Sequence, residues 1–291
     1  MASPLRTLAW LPLAALLLAP LLIGSAKAQT ADSATALRER HAQLAAQMEN
    51  TPFQRPVVLQ SSETGDQLQG SIDAVVAQPF AVAREHLQRP AALCEILMLQ
   101  INTKQCTVAG NVLDVRIGRK HDQPLADAYR VAFSVQPQAS STDYMNLRLG
   151  ADTGPFSTRD YRMQLQAIPI EGGSKTFLHL HYSYGIGLTA RLAMQGYLAT
   201  LGAGKVGFTR TGSTGYIGGM RGAVERNTMR YYLAIDAYLA SLAAPPAQQR
   251  AQRLETWFAA TEQYARQLHE LDRADYLTMK QNEFRRLSGS I

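Results

Sequence analysis

The sequence predicts an α+β fold: a curved antiparallel sheet gripping one long helix near the C-terminus, with extra helices at both ends. Three observations carry this. Segments at 112–117, 129–135, 145–150, 161–167 and 178–184 alternate apolar and polar residues with period two. From Val224 to Leu242 the apolar positions instead recur at steps of four and three. Two short helical segments follow directly on a first strand, before the run of strands begins.

The chain has 291 residues, 46% hydrophobic and 18% charged, with 2 Cys. This composition excludes collagen-like, coiled-coil and wholly disordered chains. It also excludes a disulfide-dense miniature scaffold.

Residues 1–28 read as a cleaved export signal. Arg6 supplies the positive start, residues 8–23 are apolar, and Ala26-Lys27-Ala28 fits the small-residue cleavage pattern. Pro12 and Pro20 interrupt the apolar run, which is marginal for spanning a bilayer. Cleavage near Ala28 implies an exported, periplasmic protein. It takes two cations and no acid from a net charge of +6, leaving +4. That surplus suits an anionic membrane surface or acidic ligand and is too small to argue for nucleic acid. Cys94 and Cys106 then meet an oxidising compartment, where a disulfide across a turn is expected over two buried thiols.

Leu37, His41, Leu44 and Met48 form one helical stripe, ended by Pro52 and Pro56. Residues 29–65 therefore read as an N-terminal helix and connector. Residues 67–78 read as a strand with Leu68, Gly70, Ile72, Ala74 and Val76 on one face. Pro79 and Pro90 each open a short helix. The later strands add up to a sheet of six or seven strands with one buried face. Residues 188–201 read as a helix, 202–222 as loop, and 223–243 as the long helix with Val224, Thr228, Tyr231, Ile235, Tyr238 and Leu242 on its seam. Pro245 and Pro246 stop it. Residues 247–291 read as a helical tail, whose seam of Trp257, Thr261, Tyr264, Leu268 and Leu271 either packs on its own domain or docks a partner.

This order of elements, the stretch from Gly70 to Phe80, residues 87–97 and the helix 223–243 resemble the helix-grip fold of the START-like (SRPBCC) superfamily, with its Bet v 1-like, lipid-transfer and polyketide-cyclase members. The resemblance covers residues 66–243. The chain departs from the compact pattern by its terminal helices and by a Gly-rich insertion at 185–222. The resemblance implies an apolar cavity between sheet and helix, holding a hydrophobic or amphipathic small molecule such as a lipid. By strand alternation the lining is Tyr129, Val131, Phe133, Met145, Leu147 and Leu149 from one half of the sheet. Tyr161, Met163, Leu165, Leu178, Leu180, Tyr182 and Tyr184 come from the other. For the aliphatic positions plain core packing is the competing reading. Several inward tyrosines, each needing a hydrogen-bond partner, suggest a wet or liganded interior.

Glu225, Arg226 and Arg230 lie within about one turn of one another near the insertion. They read either as a solvated helix face or as a polar clamp on a ligand headgroup. Gly172 to Val224 contains no Asp or Glu, five basic residues and 13 of the 21 glycines. It reads as a lid or membrane-touching flap, or as a packed loop. His179 and His181 could place two zinc ligands on one strand face, but alternation puts them outside the cavity, and no metal or cofactor is expected. No nucleophile motif stands out, and no catalytic residue is nominated. The expected function is a periplasmic carrier of a hydrophobic molecule. A cyclase- or hydrolase-like enzyme using the cavity tyrosines with Glu225 or Arg230 is the alternative, and an interaction module docking through the tail is the third.

Overall fold

The computed structural model describes residues 22–200 and 202–289. Most of the expected export signal, residues 1–21, lies outside the described residues. Helix α1 (Leu22–Glu49) leads into β1 (Val57–Thr64) and β2 (Gln67–Val76). Helices α2 (Phe80–Leu87) and α3 (Pro90–Leu97) follow, then β3 (Thr103–Ala109), β4 (Val112–Ile117), β5 (Tyr129–Ser140), β6 (Met145–Thr153), β7 (Thr158–Ile170) and β8 (Lys175–Ile186). After β8 come α4 (Leu188–Ala199), a hairpin of β9 (Arg210–Thr211) and β10 (Gly215–Tyr216), and the long α5 (Gly219–Ser241). The tail forms α6 (Pro246–Glu262), α7 (Ala265–Leu268) and α8 (Arg273–Ser288).

The eight large strands form one antiparallel sheet in the order β1-β2-β8-β7-β6-β5-β4-β3. Helices α2 and α3 carry the chain from β2 to the far edge at β3. Register shifts in β3, β5 and β7 mark bulges that bend the sheet. The fold is α+β, a curved sheet holding a long helix in the helix-grip manner.

Two strands of the large sheet, and the short β9–β10 hairpin in the segment read as loop, stand where none was expected. In β1 the inward positions run Val57, Leu59, Ser61 and Glu63, so the apolar alternation fades after two residues. In β3 the buried positions include Thr103 and Lys104, which hide the pattern altogether.

Helix α5 lies across β1, β2 and β8. It sits close because Gly70 faces Thr228: a Cβ on Gly70 would fall 2.2 Å from the threonine hydroxyl oxygen. The cover is broader than the single helix expected from the pattern. Helix α6 packs on α5, and α8 packs on α6 and on β3. Trp257, Thr261 and Leu268 of the tail seam are buried, and the Trp257 ring stacks on Tyr276 at 5.1 Å. The tail therefore packs on its own domain.

The sheet is also covered in part on its outer face. Ala34, Leu37, Leu44 and Met48 of α1 pack on Val58, Ile168 and Phe177. Arg40 of α1 and His179 both engage buried Asp73, at 2.6 and 2.8 Å. Alternation ascribed a single buried face to the sheet because Ile168 and Phe177 lie at the ends of their strands, outside the regular runs.

A disulfide joins Cys94 of α3 to Cys106 of β3, with Cα atoms 5.3 Å apart. The turn between α3 and β3 brings the two together. Beside it, Lys104, Lys280 and Glu283 are fully buried and paired, Glu283 accepting from Lys104 at 3.0 Å and from Lys280 at 2.8 Å. Lys280 also donates to the carbonyl of Thr103, pinning α8 to the sheet edge.

Candidate functional site

The interior between sheet and helices has a filled end and a looser end. Phe133, Met145, Leu147, Leu165, Leu178 and Leu180 are buried and packed into continuous apolar clusters, as are Val131 and Leu149. These positions belong to the packed core clusters. Interlocking aliphatic side chains from α2, α3 and α5 fill the space that a single covering helix would have left. Tyr129 departs furthest from its expected place. It is 48% exposed and its ring lies 4.9 Å from that of Phe156. It faces the inner side of β5, but at the strand's first residue, outside the buried apolar clusters.

The other end is built from aromatic rings. Tyr161 and Tyr184 stack at 5.4 Å, and Tyr182 meets Tyr231 of α5 edge-on at 5.2 Å. Met163 and Tyr231 touch three of the buried clusters at once and still remain partly accessible. These two side chains join the clusters to one another. The Tyr161 hydroxyl donates to Thr158 at 2.7 Å, whereas that of Tyr184 has no hydrogen-bond partner among the described residues. Burial raises all four phenols above their ordinary range, so each keeps its proton as a hydrogen-bond donor.

Basic residues gather beside these rings. Arg226 and Arg230 stand one turn apart on α5, with Arg226 near Tyr184 and Tyr197. Lys120, from the β4–β5 connection, and Lys205, from the insertion, each reach one oxygen of Glu270 at 2.6 Å. Arg230 reaches the other at 3.0 Å and also donates to the carbonyl of Leu268. Burial and the neighbouring Arg230 lower Arg226 to about 10. Burial alone would raise Glu270, but Lys120 and Arg230 hold it at about 2. The solvated-face reading of this helix end does not hold, since Glu225 and Arg226 are buried.

Glu225 is fully engaged by the insertion and β1. It accepts from Ser61 Oγ at 2.6 Å, Phe208 N at 2.6 Å, Thr209 N at 2.9 Å and Thr209 Oγ1 at 2.6 Å. It anchors the insertion. The backbone there passes so close to α5 that a Cβ on Gly207 would sit 2.9 Å from Gly222 Cα.

Two pockets flank this region. One, of about 560 Å³, runs along the β1 edge past Ser61, His181 and Arg221. The other, of about 440 Å³, is lined by Phe53, Phe208, Tyr216 and Tyr264. Among the described residues no group of histidine, cysteine and carboxylate side chains is arranged to hold a metal. His179 is committed to Asp73.

Sequence reasoning found Arg226, Arg230 and the inward tyrosines. It missed Lys120 and Glu270, which lie in irregular segments far apart in the chain. The acid-free run ending at Val224 was the one available signal for the charge surplus.

Fold and site together define a helix-grip protein with a cluster of inward aromatic rings beside a basic cluster. No protein-family description matches the chain, and no curated protein matches it significantly. Solved structures with a similar outline include an aromatase/cyclase from a Streptomyces species, at 13% identity over 77% of this chain and 99% of that one, with a TM-score of 0.27. A conserved protein of unknown function from Enterococcus faecalis matches at 8% identity over 79% and 91%, with a TM-score of 0.31. A protein from Thermus thermophilus matches at 9% identity over 60% and 99%, with a TM-score of 0.34.

Proposed function

We propose that this protein is a START-like binding module of the periplasm that carries an amphipathic molecule, most simply a lipid, in a crevice between β7, β8 and α5. The observation that carries the reading is the partial openness of Met163 and Tyr231 at the meeting point of otherwise sealed apolar clusters. Apolar walls with a few convergent polar groups are the usual make-up of a small-molecule site. The Tyr184 hydroxyl, without a hydrogen-bond partner among the described residues, supplies one such group. Contact with an anionic bilayer through 185–222 belongs to the same proposal. Helix α4 holds Leu188 and Leu192 one turn apart, 75% and 61% exposed, in a stretch without acids.

The test uses protein expressed with its leader and recovered from the periplasm. Native mass spectrometry should detect a co-purifying amphiphile. Met163→Trp, which fills the crevice, should reduce its retention at least tenfold without lowering Tm. A protein that is ligand-free and takes up no amphiphile from mixed liposomes overturns the reading.

A further inference from the structure

We propose that Arg226 and Arg230, with Lys205 and Lys120, form a receptor for a compact oxyanion, phosphate before carboxylate, carried as the headgroup of the ligand. This rests on the function proposed above and names the class of molecule bound at that site.

The argument is one of charge and unmet hydrogen bonds. Four cations converge from three parts of the chain: the β4–β5 connection, the insertion and α5. Among the described residues Glu270 is the one carboxylate paired with them, and it is already shared by Lys120, Lys205 and Arg230. That leaves Arg226 with no ion pair among the described residues. Its one hydrogen bond goes from Nη1 to the carbonyl of Val206 at 3.2 Å, although a guanidinium carries five donors. Yet its residue is only 6% exposed. The buried Nε of Arg230 likewise finds no acceptor among the described residues.

Burying a guanidinium without a counter-charge is strongly unfavourable. The cluster carries three positive charges more than its carboxylate balances, and a phosphate dianion offsets more of that surplus than a monoanion. Arginine forks match phosphate oxygens in geometry. The Tyr184 phenol lies within electrostatic reach of Arg226 and is a further donor in the neighbourhood. An alkyl tail attached to such a head then extends past Tyr231 and Met163.

The experiment titrates the full mature chain with decyl phosphate, decanol and inorganic phosphate, all below any micellar concentration, by calorimetry. Decyl phosphate should bind at least tenfold more tightly than decanol. Arg226→Met should erase that preference, and Arg226→Lys should restore most of it. Arg226 makes one hydrogen bond, and methionine keeps most of its buried apolar stem; Lys205→Met, at a less buried position, serves as a second variant with a smaller loss. Equal binding of decyl phosphate and decanol, unchanged in Arg226→Met, overturns the oxyanion receptor and leaves the carrier reading standing. Inorganic phosphate binding as tightly as decyl phosphate, with no uptake of decanol, supports the receptor and overturns the carrier. No binding of any probe overturns both.

Discussion

Thr209 closes on Glu225 through two hydrogen bonds, from its backbone nitrogen at 2.9 Å and from its hydroxyl at 2.6 Å. With Phe208 and Ser61 adding one donor each, a single buried carboxylate ties the insertion to both α5 and β1. Glu225→Ala would strand these donors, at a cost of about 3 kcal/mol. Limited proteolysis should then cut the segment 202–218 faster than in the parent protein, while the disulfide-linked half stays resistant. Unchanged proteolysis would show that the anchor is dispensable.

The bond between Cys94 and Cys106 closes a loop of sequence separation 12. On the chain-entropy view this contributes about 3 kcal/mol. The Cys94→Ala, Cys106→Ala double variant should melt roughly 6–12 °C below the parent by calorimetry. An equal Tm would mean that native packing around α3 and β3 needs no such constraint.

Helix α1 is held to the outer face by charge as well as by apolar contact. Burial would raise the pKa of Asp73, but hydrogen bonds from His179 and Arg40 outweigh it and lower it. A carboxyl depressed in the folded state stabilises above its unfolded pKa of 3.8 and loses that contribution as pH falls through the folded value. Hydrogen exchange of α1 should therefore rise in acid before the central strands respond. Arg40→Gln, which removes one of the two partners, should move that rise to higher pH. An α1 that exchanges only with global unfolding contradicts this account.

Lys280 is also lowered, but burial rather than pairing is the cause. Burial lowers it to about 8, against the pull of Glu283. The folded chain then binds fewer protons than the unfolded chain between about 8 and 10.5, so this group makes stability increase with pH in that window, by up to about 1.4 kcal/mol per unit. Denaturant unfolding of the parent and of Lys280→Met across that range should diverge with this sign. Glu283→Leu, which leaves two buried ammonium groups uncompensated, should cost about 3–5 kcal/mol.

The exposed apolar end of the molecule carries the membrane proposal. Leu188→Asp combined with Leu192→Asp should abolish sedimentation with phosphatidylglycerol vesicles and leave Tm within a degree or two of the parent, because both side chains are already in solvent. Undiminished sedimentation would exclude α4 as the contact.

Much of the architecture was legible because periodicity reports directly on burial. The strands around Val131, Leu147 and Leu180 alternate cleanly, and the α5 seam from Val224 to Leu242 repeats as a buried helix must. Strands β1 and β3 were hidden because their inward positions are Ser61, Glu63, Thr103 and Lys104, polar groups satisfied by partners distant in sequence. The candidate site divides in the same way. Inward tyrosines follow from alternation, but no local pattern distinguishes a ring that closes a core from one that borders a crevice.

The sequence by itself determined the α+β class, the order of the large-sheet strands and long helices from β4 onward, and the pairing partners available to the two cysteines, since these follow from local residue spacing. Only the tertiary structure decided that α6 and α8 share the cover with α5, that Tyr129 faces solvent, and that Glu225 serves the insertion. It alone brought Lys120, Lys205, Arg226, Arg230 and Glu270 together. The physical reason is that charge balance and cavity closure depend on distances between segments far apart in the chain, which no periodicity encodes.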